Sequence, residues 1–237
     1  MLRKRSKLKT TTQNSKFDSS EKLEIRGRLK FLSSSFSVLA PPRGDFMTNR
    51  QEIFEIFEKA GALLKGHFLL SSGLHSDLYF EKFQVLQHPE YVEILCKRLA
   101  SLFKEDKIEV VVGPTTGGII IAYEVAKNLK TRSIFAESEG EGRVFKRGFS
   151  LKKSESVLIV DDIVTTGKSV NEVIGLVKKY DGQIIGIGLL LDRSGGKAEF
   201  GYPLKPLATT EVKNYSPDQC PLCKKGEPLV KPGSRKI

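Results

Sequence analysis

Cysteine is scarce in this chain. Three thiols in 237 residues, only two of them close together, do not make a disulfide framework. A reducing, cytoplasmic setting suits them. No apolar run reaches the roughly eighteen residues of a membrane span, so no transmembrane helix and no membrane partner are expected. No internal repeat of fixed period is visible. Histidine is equally sparse: His67, His75 and His88 are scattered and show no ligand spacing. The pair Cys220 and Cys223 is followed by no further Cys or His, so it is not expected to close a four-ligand zinc site within one chain, and Cys96 sits on an apolar helix face. A nucleotide-binding P-loop is also lacking. Gly167-Lys168-Ser169 matches the end of that motif, but Asp162 stands where its first glycine belongs, and a carboxylate there would repel a triphosphate.

What is present is organised around residues 157–170, VLIVDDIVTTGKSV. Val157 to Val160 form a short, β-branched apolar run that reads as a buried strand. Asp161 and Asp162 follow, then a hydroxyl-rich turn, then apolar residues at Val170, Val173, Ile174 and Val177 with helical spacing. Such a turn presents backbone N–H groups at a helix N-terminus, a ready phosphate site. A second strand–loop–helix unit runs from Ile108 through Gly113-Pro114-Thr115-Thr116-Gly117-Gly118 to Leu129. Ile134-Phe135 and Ile184 to Leu191 read as further strands, the latter ending at Asp192-Arg193. Strands alternating with helices predict an α/β fold, a mostly parallel sheet flanked by helices, with its ligand crevice at the carboxyl ends of the strands.

Before this core, Asn49 with Glu52 suits a helix cap, and Ile53, Phe57, Ala60 and Leu64 predict a helix ended by Gly66. Residues 67–80 read as a hairpin around Ser71-Ser72-Gly73, and Pro89 opens another helix. Residues 137–150, charged and glycine-rich, read as a mobile flap. Residues 1–46 differ from the rest: eleven Lys/Arg against four Asp/Glu give them a net +7 of the chain's +11, leaving +4 for 47–237. Rich in Ser, Thr and basic residues, they read as a disordered leader. The remainder reads as one domain, with a small hood over about 47–88, a core over about 89–212 and a Cys-containing tail over 213–237.

The stretch from Val157 to Ser169 resembles the ribose-phosphate-binding signature of the type I phosphoribosyltransferases: hydrophobic strand, two acids, two apolar residues, then Thr-Thr-Gly-Lys-Ser. Phe68 to Tyr79 is similar to the N-terminal hood of the orotate phosphoribosyltransferases, Gly113 to Gly118 to their pyrophosphate loop, and Leu191-Asp192-Arg193 to the segment that supplies their pyrimidine-binding arginine. The resemblance covers roughly 47–237. It implies the transfer of ribose 5-phosphate from phosphoribosyl pyrophosphate to orotate, with Mg²⁺ bound through the substrate and assisted by Asp161 or Asp162, in a homodimer. Asp161 and Asp162 would hold the ribose hydroxyls and place the cationic sugar. Ile163, Val164, Thr165, Thr166, Gly167, Lys168 and Ser169 would line the 5-phosphate cradle. Thr115, Thr116, Gly117 and Gly118 would meet pyrophosphate, and Thr165 and Arg193 would hold orotate.

The flap departs from the family pattern, because Glu137 is followed by Ser138 where many members carry a cation. Arg143, Lys146 and Arg147 are the remaining candidates to neutralise pyrophosphate, with Lys146 and Arg147 assigned as catalytic. Two other readings stand beside this one. A purine phosphoribosyltransferase would keep the acid–loop motif without Arg193 or the hood. A non-catalytic sensor of phosphoribosyl pyrophosphate that binds nucleic acid would use the basic leader, but no helix-turn-helix or RNA motif is recognisable and nucleic acid is not expected as a partner. For Arg193 the competing role is a salt bridge to Asp192 or another loop acid. Deleting residues 1–46 is expected to leave melting temperature and turnover unchanged, since that segment has no periodic apolar face to pack. A drop of several degrees would contradict the disordered-leader reading.

Overall fold

The first helix stops a turn earlier than its apolar spacing suggests. The computed structural model describes residues 50–70 and 72–232, so the basic leader and the cap at Asn49 lie outside the described residues. Helix α1, Arg50–Lys59, buries Ile53, Ile56 and Phe57. It closes where the Ala62 N–H donates to the Phe57 carbonyl at 2.8 Å. Leu64 and Gly66, expected to continue and end the helix, instead lie in strand β1, Leu63–Leu69. Leu64 falls at helical spacing from Ala60 yet is exposed, so its position in the pattern is coincidental. β1 pairs antiparallel with β2, His75–Phe80, with a register shift between Lys65 and Phe68.

Two helices follow: α2, Lys82–Leu86, capped by the Glu81 carboxylate, and α3, Pro89–Ser101, with proline in its first turn. The core then alternates as expected of parallel α/β units. Its elements are β3 (Val110–Pro114), α4 (Gly117–Leu129), β4 (Arg132–Glu139), β5 (Gly142–Val144), β6 (Ser156–Val164), α5 (Lys168–Lys179), β7 (Gln183–Asp192) and β8 (Leu204–Thr209). The six-stranded sheet has the order β5-β4-β3-β6-β7-β8, parallel throughout except for β5. The residues read as a flap therefore form an antiparallel β4–β5 hairpin, Glu137 facing Val144. β8 has no counterpart in the sequence reading. Its Lys205 and Pro206 break the apolar run, which only an edge strand tolerates.

Side chains alternate across this sheet, and each face has its own core. Val111, Leu158 and Val160 pack toward α1, α3 and α4, whereas Val110, Val112, Val157 and Ile159 pack against α5. The result is three layers with β3 and β6 at the centre. β3 leads outward to β4 on one side and β6 leads to β7 on the other. The order in which successive strands are added thus reverses between the parallel neighbours β3 and β6, and a crevice opens there at the carboxyl ends of the strands. No helix among the described residues is long and apolar enough to cross a membrane.

A second, three-stranded sheet, β1-β2-β9, is completed from the far end of the chain by β9, Asn214–Tyr215. A 3-10 turn at Pro217–Gln219 and α6, Pro221–Lys224, follow. Val230 then hydrogen-bonds along β1, its N–H donating to the His67 carbonyl and its carbonyl accepting from the Leu69 N–H, both at 2.8 Å. The tail, read from sequence as a separate segment, is part of the hood's sheet. The hood packs on the core through one apolar cluster, in which buried Phe57 and Phe80, edge-on at 6.0 Å between centroids, join Leu95 and Leu99 of α3 and Ile121 of α4. Phe57→Ala should lower unfolding free energy by about 3–5 kcal/mol in urea denaturation, the usual cost of deleting a buried phenyl ring. A loss under about 1 kcal/mol would mean that the hood packs loosely on the core.

Candidate active site

β6 runs on through both acids to Val164, so Asp161 and Asp162 occupy consecutive strand positions and different surroundings. Both are buried, at 6% and 1% exposure. Asp162 faces α4 and the hood. The Lys82 ammonium donates to its Oδ1 at 3.1 Å and lies 2.9 Å from Oδ2, near enough for ion pairing but off hydrogen-bond geometry for that oxygen. Burial opposes the charge on Lys82, but the Asp162 carboxylate outweighs it and holds the ammonium above its ordinary pKa. Lys82 was not legible as a site residue, because nothing in its local sequence marks it. It is placed by the turn from β2 into α2.

Asp161 is the less compensated acid. Its Oδ1 accepts from the Asp162 N–H at 2.9 Å, and no ion pair to it is found among the described residues. Burial first, and the Asp162 charge second, push its pKa up to about 7.

The loops on either side of the crevice meet at these acids. Thr115, Thr116, Gly117 and Gly118 carry β3 into α4, and the peptide between Thr115 and Thr116 is cis. A Cβ on Gly117 would fall 1.7 Å from Asp162 Oδ2, so only glycine lets the α4 N-terminus approach the acid. Ile163 is half-buried and Val164 buried, and the chain then opens into exposed Thr165 and Thr166. Gly167 adopts φ +74° at the N-terminus of α5, with the Phe200 ring against it. Lys168 is exposed, Ser169 is half-buried, and the first turn of α5 carries no acid. Unopposed N–H groups at such a terminus favour an anion.

Arg143, buried on β5, ties this region together. Its guanidinium donates to Glu172 Oε2 at 3.1 Å, to Thr115 Oγ1 at 3.1 Å and to the Ala136 carbonyl at 3.1 Å. Of the three flap cations named from sequence, Arg143 is thus held within the chain as a brace. Lys146 and Arg147 are exposed and make surface pairs with Glu139 at 3.0 Å and Glu137 at 2.8 Å.

Arg193 follows the end of β7, its N–H donating to the Val164 carbonyl at 2.8 Å, which fixes it beside the phosphate loop. The expected competitor, a salt bridge to Asp192 or another loop acid, is not found among the described residues. The Asp192 carboxylate instead accepts from the backbone N–H groups of Ser194 at 2.8 Å and Gly196 at 3.0 Å, shaping the turn. The Arg193 guanidinium stacks 5.2 Å from the Phe80 ring, and its Nε is buried without a hydrogen-bond partner. Burial lowers its pKa. It shares a cleft of 480 Å³ with Thr165, Thr166, Val212 and Asn214. Asp161 and Asp162 do not line that cleft; they sit deeper, toward β3.

Residues 83–208 match the phosphoribosyl transferase domain family. Over 189 residues the chain is 51% identical to the orotate phosphoribosyltransferase of Desulforamulus reducens, covering 80% of this chain and 99% of that one. It is 50% identical over 188 residues to the orotate phosphoribosyltransferase of Caldanaerobacter subterraneus subsp. tengcongensis, covering 79% and 99%. The solved orotate phosphoribosyltransferase from Aeropyrum pernix is similar in fold, with a TM-score of 0.58 and 27% identity over 65% of this chain and 92% of that one.

The state of Asp161 sets a pH dependence. An ordinary aspartate has a pKa of about 3.9, so between about pH 4 and 7 the unfolded chain is ionised while the folded one keeps its proton. Stability contributed by this group therefore falls as pH rises through that window, by at most about 1.4 kcal/mol per unit, and is level above it. The melting temperature of ligand-free Asp161→Asn should gain on the wild type between pH 5 and about 7 and hold that gain at pH 8. A difference independent of pH would show that Asp161 is ionised throughout.

Proposed function

The chain belongs to the orotate phosphoribosyltransferase family, and from this membership and the geometry above we infer that it moves the ribose 5-phosphate group of phosphoribosyl pyrophosphate onto N1 of orotate, giving orotidine 5'-phosphate and pyrophosphate. The anomeric C–O bond to pyrophosphate breaks as the C–N bond forms, and positive charge develops on the sugar. No covalent nucleophile is required; position and electrostatics suffice. Asp161 and Asp162 are assigned to the ribose hydroxyls and to the cationic sugar, and what supports this is their burial beside two anion-binding helix termini. Thr165 to Ser169 take the 5-phosphate, and Thr115 to Gly118 take pyrophosphate.

Mg²⁺ fits this donor set, because Asp161 has no ion-pair partner among the described residues and the loops offer mainly N–H groups and hydroxyls, with Lys168 as a loop cation 3.9 Å from Glu172. The ion would be held chiefly by substrate oxygens and water, and would offset charge on the departing pyrophosphate. Lys146 and Arg147 are assigned to the neighbouring subunit's pyrophosphate in a homodimer. Exposed pairs such as theirs with Glu139 and Glu137 are weak, so exchange for phosphate oxygens costs little.

One observation carries the choice of base. Arg193 presents a desolvated guanidinium, with its Nε unpartnered, to the cleft that holds Thr165. A planar carboxylate satisfies such a fork, whereas a purine base brings no anion. Arg193→Ala should weaken orotate binding by roughly 2–4 kcal/mol in calorimetric titration and leave phosphoribosyl pyrophosphate binding nearly unchanged. Equal loss of both ligands would give Arg193 a structural role, and unchanged orotate affinity would remove the ground for preferring orotate.

A further inference from the structure

Four side chains far apart in sequence converge in the hood. His67 on β1, His75 on β2, and Cys220 and Cys223 at the start of α6 place one ligand atom each within 4.8 Å of all the others. His67 Nε2 lies 2.9 Å from His75 Nδ1, 3.4 Å from Cys220 Sγ and 3.6 Å from Cys223 Sγ, while Cys223 Sγ lies 3.3 Å from His75 Nδ1. The expectation that the Cys pair lacks partners fails because the missing ligands precede it by about 150 residues, as the separation of 153 between His67 and Cys220 shows. Pairing of β9 with β2, and of Val230 with β1, delivers the tail to the hairpin.

We propose that this Cys₂His₂ cluster is a structural zinc site that clips the carboxyl-terminal tail to the hood. Tetrahedral zinc with Zn–S of about 2.3 Å and Zn–N of about 2.0–2.1 Å sets N···S contacts near 3.6 Å and N···N contacts near 3.4 Å, so small movements of the two rings accommodate the ion. The tautomer is already selected. His67 Nδ1–H donates to the Glu227 carbonyl at 2.8 Å, which leaves the Nε2 lone pair directed at the cluster, the outer-shell arrangement that orients metal-bound imidazoles. His67, His75 and Cys220 are buried, and Cys223 is exposed and provides the entry side. Two thiolates and two imidazoles with four protein ligands close the coordination shell, the pattern of structural rather than catalytic zinc.

The clip bears on the hood because β2 leads directly to Phe80 and Lys82, and the tail supplies Asn214 beside Arg193. The metal assignment itself is independent of the transferase reading, and its test does not use activity. Elemental analysis of the full-length protein, purified without chelator, should find about one zinc per chain, and Cys220→Ser/Cys223→Ser should lose it. Replacing zinc in the wild type with Co²⁺ should give the intense visible bands of a tetrahedral thiolate site, a readout that does not depend on the variant folding. A chelator should lower the wild-type melting temperature, with recovery on adding Zn²⁺ but not Mg²⁺. Wild type free of zinc, a Cys220–Cys223 disulfide found by mass spectrometry, a weak octahedral cobalt spectrum, or full zinc content in the double variant would each overturn the proposal.

Discussion

Two carboxylates at the end of β6 are taken out of water with one ammonium ion-paired to them, and much of the surrounding structure answers to that constraint. Asp162 is tolerable in its buried position because Lys82 crosses from the hood to meet it. It fits because the facing α4 begins with a glycine, where any side chain would collide with its carboxylate oxygen. Asp161, next along the strand, has no such partner among the described residues and holds its proton to about pH 7 instead. Two helix N-termini flank these acids, and the proposed occupant of the space between them is a polyanion with its own counter-ion. Catalytic sites concentrate perturbed groups of this kind.

The parts of the site that are local in sequence were legible. Strand, acid pair, loop and helix lie within residues 157–177, and apolar periodicity with turn residues is enough to place them. Parallel alternation predicted a sheet with loops clustered at one end, and the β3 and β6 loops do meet there. What the sequence hid depends on long-range pairing. Lys82 gains its role only when the hood folds over Asp162. Arg143 reads as one of three flap cations until β5 pairs with β4 and turns it inward to Glu172 and Thr115. Leu64 misled because one apolar residue at helical spacing can equally belong to an exposed strand. His67, His75, Cys220 and Cys223 have no recognisable spacing, since half of the set lies at each end of the domain.

The two sheets divide the labour. The six-stranded sheet carries both phosphate-type loops and the acids, all on elements fixed by three-layer packing. The three-stranded sheet brings Phe80, Lys82 and Asn214, and its integrity depends on a tail that must return from the far end of the chain. Closing so long a loop has an entropic cost that grows only slowly with length, and the β9 pairing, the Val230 hydrogen bonds to β1 and the His/Cys cluster act together against it. Arg193 sits at the junction, anchored by its backbone to β6 and by its guanidinium to the Phe80 ring.

The central claim is that this crevice joins a ribosyl phosphate to an anionic pyrimidine. Pyrophosphate release from phosphoribosyl pyrophosphate and Mg²⁺, followed with orotate, uracil, adenine or hypoxanthine as acceptor, tests it most directly. Release that depends on orotate, with formation of orotidine 5'-phosphate and negligible turnover of the other bases, is the predicted result. Release supported by a purine base and not by orotate would contradict the account.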